Sequence, residues 1–388
     1  MKPKILYIIT RLILGGAQKD TISSVALLRG NGYDAALLSG PSGGPEGDLK
    51  DFARINGVDV VEIPELKREI DPLKDIIALF KIYRFIKNNR FDIVHTHTSK
   101  AGFLGRLAAR LAGVRIIVHT PHGHVFYGYY GRFKTKMFIM LEKAASLCTS
   151  ALIAISEAEK KDYIRYGIIS EKKMRVIHSG IDLAEFSGPA RPAGDMKKQL
   201  NMEPDVPVIG TVGRLVREKG HIYFLRAAKR VLLEFPRAQF LVVGGGILRP
   251  EIEDAVKEMG IGGNVKLLGI RLDISDILYI MDIFAMPSLN EGMGRAAAEA
   301  MMRRKAVVAF RVCGLEDLIN SGVNGILVEP ADHVKLAEAI TGLLKDKNRR
   351  EKMGEAAANS ISDDFDSKKV IGQVGALYQE LIDGKNKR

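Results

Sequence analysis

The sequence has no tryptophan and only two cysteines, and aromatic residues make up 7% of its 388 positions. Cys148 and Cys313 supply neither a disulfide framework nor a zinc-ligand spacing, which fits a reducing cytoplasm. No run reaches the roughly 18 to 20 apolar residues that a membrane-spanning helix needs. The nearest, 137–155, is interrupted by Glu142 and Lys143. A secretory signal pattern is missing too: Met1-Lys2-Pro3-Lys4 leads into a short apolar run and then Gly15-Gly16, without a small-residue cleavage site. That start reads as a first core strand. Basic residues alternate with acids instead of forming a block, and with so few aromatics this disfavours DNA or RNA as a partner. The expectation is a soluble cytoplasmic protein of two or three domains.

What is present is ordinary for a globular chain, 46% hydrophobic and 27% charged. The net charge of +12 is unevenly spread: residues 1–188 hold 28 Lys and Arg against 19 Asp and Glu, leaving only about +3 for the remainder. A basic N-terminal half suits a phosphorylated ligand or an anionic membrane.

Short apolar runs alternate with longer amphipathic stretches, the rhythm of βαβ units and a parallel sheet. Strands are expected at 4–10, 35–38, 91–95, 115–119 and 151–155, with helices at 17–29 and 101–111. Ser156 and Glu159 have the spacing of a capping box. A linker-like composition follows at 189–205, after which strands are expected at 207–213, 239–243, 265–268, 283–286 and 306–309, with helices at 220–234 and 250–259. The reading is an α/β chain with an N-terminal domain at 1–188 and a C-terminal domain at 206–365. A last helix at 368–382 packs back on the first domain. Two doubly wound units leave a cleft between them, and such sheets bind ligands at the carboxyl ends of their strands.

The richest segment is Pro287-Ser288-Leu289-Asn290-Glu291-Gly292-Met293-Gly294, which leads into an alanine-rich helix starting near Gly292 and containing Glu299. Glycines allow close backbone approach, and a helix N-terminus presents N–H groups and a dipole to phosphate. On one helix, carboxylates eight residues apart lie about 12 Å apart along the axis. That is too far to share a proton and suits gripping two parts of an extended ligand. The alternative is a capped helix with two solvated acids. Arg214 and Lys219 lie where another strand gives way to a helix and can clamp a diphosphate, or be two surface cations. Leu14-Gly15-Gly16-Ala17 makes a phosphate-friendly turn in the first domain, though without the G-x-G-x-x-G spacing of a dinucleotide fingerprint.

Taken together these motifs resemble a family 4 retaining glycosyltransferase of the GT-B architecture over essentially the whole chain. The most specific element is E-x7-E, met by Glu291 and Glu299. The resemblance implies that Glu291 contacts the transferred sugar and Glu299 the ribose, while Arg214 and Lys219 bind the donor diphosphate beside the Gly292, Met293 and Gly294 amides. It implies that Gly15 and Gly16 close over the phosphates and that Gly269-Ile270-Arg271 lies beside the base. His122 matches a first-domain histidine close to donor sugar and acceptor. The donor is a nucleotide-diphosphate sugar, UDP before GDP, serving as substrate, with no cofactor and no metal expected. Arg304, Ala306 and the stretch Cys313-Gly314-Leu315-Glu316-Asp317 depart from the family's usual Gly, Pro and Gly-Gly-x-Pro-Glu.

His95, His97, His119, His122 and His124 cluster within 30 residues, yet the usual mixed ligand set of a metal site is missing. His95 reads as a core histidine, and His122 and His124 as loop residues facing the site. The glycine- and aromatic-rich loop 122–131, followed by Arg132, Lys134 and Lys136 among apolar residues, suits an anionic bilayer and hence a polyprenyl-linked glycan acceptor. An amphipathic core helix with solvated lysines is the alternative. A nucleotide-sugar epimerase and a non-catalytic sugar-nucleotide binding module remain as other readings.

Overall fold

The computed structural model describes residues 2–386 apart from 124, 125, 127–130, 189 and 190, and it divides into two units. The first comprises 1–44, 48–180 and 364–388; the second comprises 45–47 and 181–363. Along the first unit run β1 (Lys4–Ile9), α1 (Gly16–Gly30), β2 (Asp34–Ser39), α2 (Lys50–Ile55), β3 (Val60–Glu62) and α3 (Pro72–Asn89). Then come β4 (Ile93–His97), α4 (Ser99–Leu111), β5 (Ile116–Thr120), α5 (Arg132–Ser146), β6 (Ala151–Ala154), α6 (Glu157–Arg165) and β7 (Met174–Val176). Its seven strands are all parallel, in the order β3-β2-β1-β4-β5-β6-β7.

The second unit opens with two short helices, α7 (Leu183–Ser187) and α8 (Ala193–Gln199). It continues with β8 (Val208–Val212), α9 (His221–Val231), β9 (Gln239–Val243), α10 (Arg249–Glu258), β10 (Val265–Gly269) and α11 (Ile274–Ile280). It ends with β11 (Ile283–Met286), α12 (Arg295–Met302), β12 (Ala306–Phe310), α13 (Cys313–Leu318), β13 (Ile326–Val328), α14 (His333–Lys345) and α15 (Lys347–Ser360). Its sheet is also parallel, ordered β10-β9-β8-β11-β12-β13. Strands such as β1, β6, β11 and β12 are unbroken apolar runs because helices cover both faces of each sheet.

The chain returns to the first unit for its final helix, α16 (Ser367–Asn386). Val370, Ile371, Val374, Leu377 and Tyr378 of α16 are buried in one cluster with Ile5, Tyr7 and Ile9 of β1 and Ile22, Val25 and Leu28 of α1. On the opposite face, Ala78, Ile82 and Ile86 of α3 and Leu104, Ala108 and Ala109 of α4 pack on Leu6, Ile8 and Val94.

Two expectations change. The chain crosses between units at 180–181 and not at 188, and the stretch expected as a linker contains α8, whose Met196 is fully buried. Pro192 and Pro204 flank a helix, with Gly194 inside it, that packs on α11 instead of spanning open solvent. The helix expected to start near Gly292 starts at Arg295, because Gly294 takes a left-handed conformation (φ 85°) as its N-cap. Glu291 therefore lies on the preceding loop, and the helix-axis separation from Glu299 does not apply.

Candidate active site

In each sheet the strand order reverses beside the first strand, between β1 and β4 and between β8 and β11. Loops leaving the carboxyl ends of strands at such a switch point diverge and leave room for a ligand. In the second unit those two loops carry Arg214 and Lys219 after β8, and Glu291 to Gly294 after β11.

The loops are stitched together. Leu289 N–H donates to the Glu218 carbonyl at 2.8 Å. Gly220 has φ 64°, and a Cβ there would come within 2.0 Å of the Pro287 carbonyl oxygen, so only glycine permits this approach. Lys219 Nζ donates to Glu291 Oε1 at 2.5 Å, with Glu291 buried. Arg214 Nη1 donates to Oε1 of Glu46, in the 45–47 segment of the same unit, at 2.6 Å. Its carbonyl takes a hydrogen bond with Nε2 of His221 at 3.0 Å. Burial pushes the His221 imidazole down to about 4, so that ring is neutral near pH 7.

The far wall of the glycine loop is α13. Gly314 N–H donates to the Glu291 carbonyl at 3.1 Å, and a Cβ on Gly314 would sit 2.1 Å from the Gly292 oxygen. The sequence departs from the family pattern around this residue, yet the glycine falls where the backbones touch. Among the described residues no side chain caps α12, so its first-turn N–H groups suit an anion. Glu299, on the second turn of α12, accepts from Arg295 Nε at 2.9 Å. Arg271 does not stand clear for a base: it makes a fork to Asp273, Nε to Oδ1 at 2.8 Å and Nη2 to Oδ2 at 2.5 Å. That fork holds the Asp273 carboxyl below its ordinary range.

The first unit holds the remaining candidates. Gly15, extended at φ −166°, is the N-cap of α1, and Gly16 is its first residue; among the described residues no side chain caps this helix, and no acid lies in its first turn. His122 is left-handed at φ 60°, an uncommon conformation for a non-glycine residue. Two contacts hold it there. His122 Nε2 shares a hydrogen bond with His97 Nδ1 at 2.8 Å, and the next amide, Gly123 N–H, donates to Glu159 Oε1 at 2.8 Å. The other Glu159 oxygen accepts from Ile155 N–H at 2.8 Å. Ser156 Oγ caps α6 through Glu159 N–H, as the spacing predicts, but the carboxylate is spent on the His122 loop. Glu159 and His97 are thus positioning residues that sequence reasoning missed. The capping box was visible, whereas its partner 36 residues away was not.

His95 bonds Tyr378 Oη through Nδ1 at 2.6 Å and Thr120 Oγ1 through Nε2 at 2.8 Å, a satisfied core histidine. Burial lowers it to about 3, and lowers His97 and His119 well below their usual value. Among the described residues no three His, Cys, Asp or Glu side chains are arranged to hold a metal ion. His124 and most of the aromatic loop lie outside the described residues; Arg132, Lys134 and Lys136 belong to α5.

Residues 14–185 match the model of Glycosyltransferase Family 4, and residues 193–360 that of Glycosyl transferases group 1. The UDP-Gal:α-D-GlcNAc-diphosphoundecaprenol α-1,3-galactosyltransferase of Escherichia coli is 32% identical, covering 99% of this chain and 98% of its own. The capsular polysaccharide biosynthesis glycosyltransferase CapM of Staphylococcus aureus is 27% identical over 92% of this chain and 93% of its own. Among solved structures, Anabaena HepE in complex with UDP and glucose superposes with a TM-score of 0.85 at 23% identity, covering 97% of this chain and all of that one.

Proposed function

Because the chain belongs to the family 4 glycosyltransferases and has their GT-B fold, we propose that it moves a sugar, with retention of configuration, from a UDP-sugar to a glycan carried on a polyprenyl diphosphate. The observation that carries this reading is the pairing of Lys219 with Glu291 where two stitched loops meet at the switch point of the second sheet. It sets a cation for a leaving diphosphate against a carboxylate that can accept sugar hydroxyls.

Transfer passes through an oxocarbenium-like state, with positive charge at the anomeric carbon and negative charge building on the diphosphate. Arg214, Lys219 and the amides at the start of α12 stabilise the second. With these cations built in, neither a metal nor a cofactor is called for. The anomeric C–O bond to phosphate breaks while the acceptor oxygen bonds on the same face, and its proton passes to a donor phosphate oxygen. On the family likeness, the roles proposed for the first unit are acceptor recognition for His122 and phosphate binding for Gly15 and Gly16. Arg271 and its fork to Asp273 border the base, and Glu299 takes the ribose hydroxyls.

UDP is favoured over GDP because the Escherichia coli relative is named for UDP-Gal, which also makes galactose the first sugar to test. The same name, with its diphosphoundecaprenol acceptor, and the CapM relative favour a lipid-linked glycan of a bacterial surface polysaccharide. Among the described residues no helix is long and apolar enough to cross a membrane. The lipid-linked acceptor of the Escherichia coli relative is what favours a peripheral location on the cytoplasmic face. The test is incubation of the purified chain with UDP-galactose, UDP-glucose or a GDP-sugar, with and without a polyprenyl-diphosphate-linked GlcNAc, in EDTA. We expect an α-linked product only with the lipid-linked acceptor; a β-linked product, a metal requirement, or epimerised donor without acceptor overturns the corresponding part.

A further inference from the structure

The helices on one face of the first sheet expose what the core did not take. In α3, Ala78, Ile82 and Ile86 are buried against the sheet, while Leu73, Ile76, Ile77 and Phe80 are between 44% and 76% exposed. Those four follow the i, i+3, i+4, i+7 spacing of a single helix face, with exposed Ile70 just before it. Large apolar side chains scattered singly are normal on a surface; a contiguous stripe is not.

The same face continues, at 3.6 residues per turn, into Arg84 and Lys87, with Lys74 and Lys81 at its edge. Lys74 Nζ is paired with Asp71 at 2.8 Å and Lys81 Nζ with Glu65 at 2.6 Å, while Asp75 pairs with Lys100 of α4 at 2.5 Å, so the charge this face offers outward rests on Arg84 and Lys87. α5 repeats the pattern: Phe133, Met140 and Leu147, just beyond its end, are 70% to 84% exposed beside Lys136 and Lys143, and its one acid, Glu142, is buried against Arg106. From 65 to 147 the chain holds 15 Lys and Arg against 6 Asp and Glu.

Placement adds a second argument. α3 packs on α4 and α4 on α5, one layer on one face of the sheet. Crossover helices run back against the strands, so the first turns of α3 and α5 lie at the carboxyl end, where the Gly15 and His122 loops emerge. An apolar front edge with a cationic body behind it matches lipid headgroups, whose acyl boundary takes the apolar side chains and whose anions meet the lysines and arginines. A second copy would set cations against cations in a symmetric contact.

We propose that the outward faces of α3 and α5 dock the protein on an anionic bilayer, with Leu73, Ile76, Ile77 and Phe80 entering the headgroup layer. This deepens the lipid-linked reading above, which supplies the reason for meeting a bilayer, but it is read without donor or acceptor. The full chain is sedimented with phosphatidylcholine vesicles, with or without about a third phosphatidylglycerol, at low and high salt. Wild type should bind the anionic vesicles at low salt. Ile76→Ser with Phe80→Ser should weaken binding at least tenfold. Arg84→Gln with Lys87→Gln should weaken it severalfold and flatten its salt dependence. Leu233→Ser, an equally exposed apolar residue of the second unit, should change nothing. Unchanged UDP affinity and unfolding midpoint show that each variant is folded. Wild type that ignores anionic vesicles, or α3 variants that bind like wild type, overturn the surface. So does a dimer dissolved by the same substitutions without any vesicle binding. Vesicle binding together with transfer only to soluble acceptors refutes the acceptor and leaves the surface standing.

Discussion

Lys219 and Glu291 each solve the other's burial, so their substitutions should not add. Lys219→Ala leaves a buried carboxylate without its cation and should cost about 1–3 kcal/mol of stability as well as about 100-fold or more in turnover. Adding Glu291→Ala should restore much of the stability in urea unfolding but none of the activity. Recovery of activity in the double variant would remove Lys219 from the diphosphate. Glu299→Ala should weaken UDP itself in calorimetry, whereas Glu291→Ala should spare UDP and damage use of the whole donor. How far the sequence could take this site is clear from Gly294. Glycines at 292 and 294 are equally good places to begin a helix, so Glu291 and Glu299 read as two positions on one axis. Contact with α13 decides between them: a Cβ on Gly294 would meet Leu315 at 2.3 Å. That contact is invisible in the local pattern. The histidines give a pH prediction of definite sign. His95, His97 and His119 are buried neutral with lowered values, so below about 6.5 the unfolded chain binds more protons than the folded one. Stability should be full above that value and fall as pH drops toward 3, by up to ~1.4 kcal/mol per pH unit for each group. A flat melting temperature between pH 7 and 5 would contradict it.

α6 shows an element whose start was legible and whose purpose was not. Ser156 and Glu159 announce a capped helix, but the carboxylate reaches the Gly123 amide and so fixes the neighbouring His122 in its left-handed conformation. Glu159→Gln keeps the shape but turns an acceptor into a donor facing an N–H. It should lose about 1–3 kcal/mol and lower kcat more than it raises KM, read by steady-state kinetics beside urea unfolding. Core strands such as β1, β8 and β11 were readable because parallel strands covered on both faces are continuous apolar runs. β3, β7 and β13, three residues each, are defined by the neighbour they pair with and carry almost no pattern of their own. α3 went unread for a different reason. Its cap is plain, Asp71 followed by Pro72, but its outward residues are as apolar as its inward ones, so the 3.6-residue contrast is blurred over its first half.

At the scale of the molecule, two similar parallel sheets were visible as a repeated rhythm, and α16 was expected on the first domain. The crossing at 180–181 was hidden because a Gly- and Pro-rich stretch resembles a linker even when it brackets a packed helix. α16 gives the first unit part of its core and a polar lock: Tyr378 Oη bonds Tyr7 Oη at 2.9 Å and His95 Nδ1 at 2.6 Å. Tyr378→Phe should cost about 1–3 kcal/mol by leaving buried groups unpaired. Removing α16 outright should prevent the first unit from folding, seen as loss of cooperative melting. That return of the chain also sets a timetable. The ribosome makes residues 1–180 first and the last helix only after all of 181–363, about 180 residues later. At 5–20 residues per second, the β1 and α1 surface waits roughly 10–40 s for its cover, through the whole birth of the second unit. Nascent chains stalled before residue 367 should therefore be protease-sensitive in their first 180 residues while the later portion is already resistant, so the part made first is the part finished last.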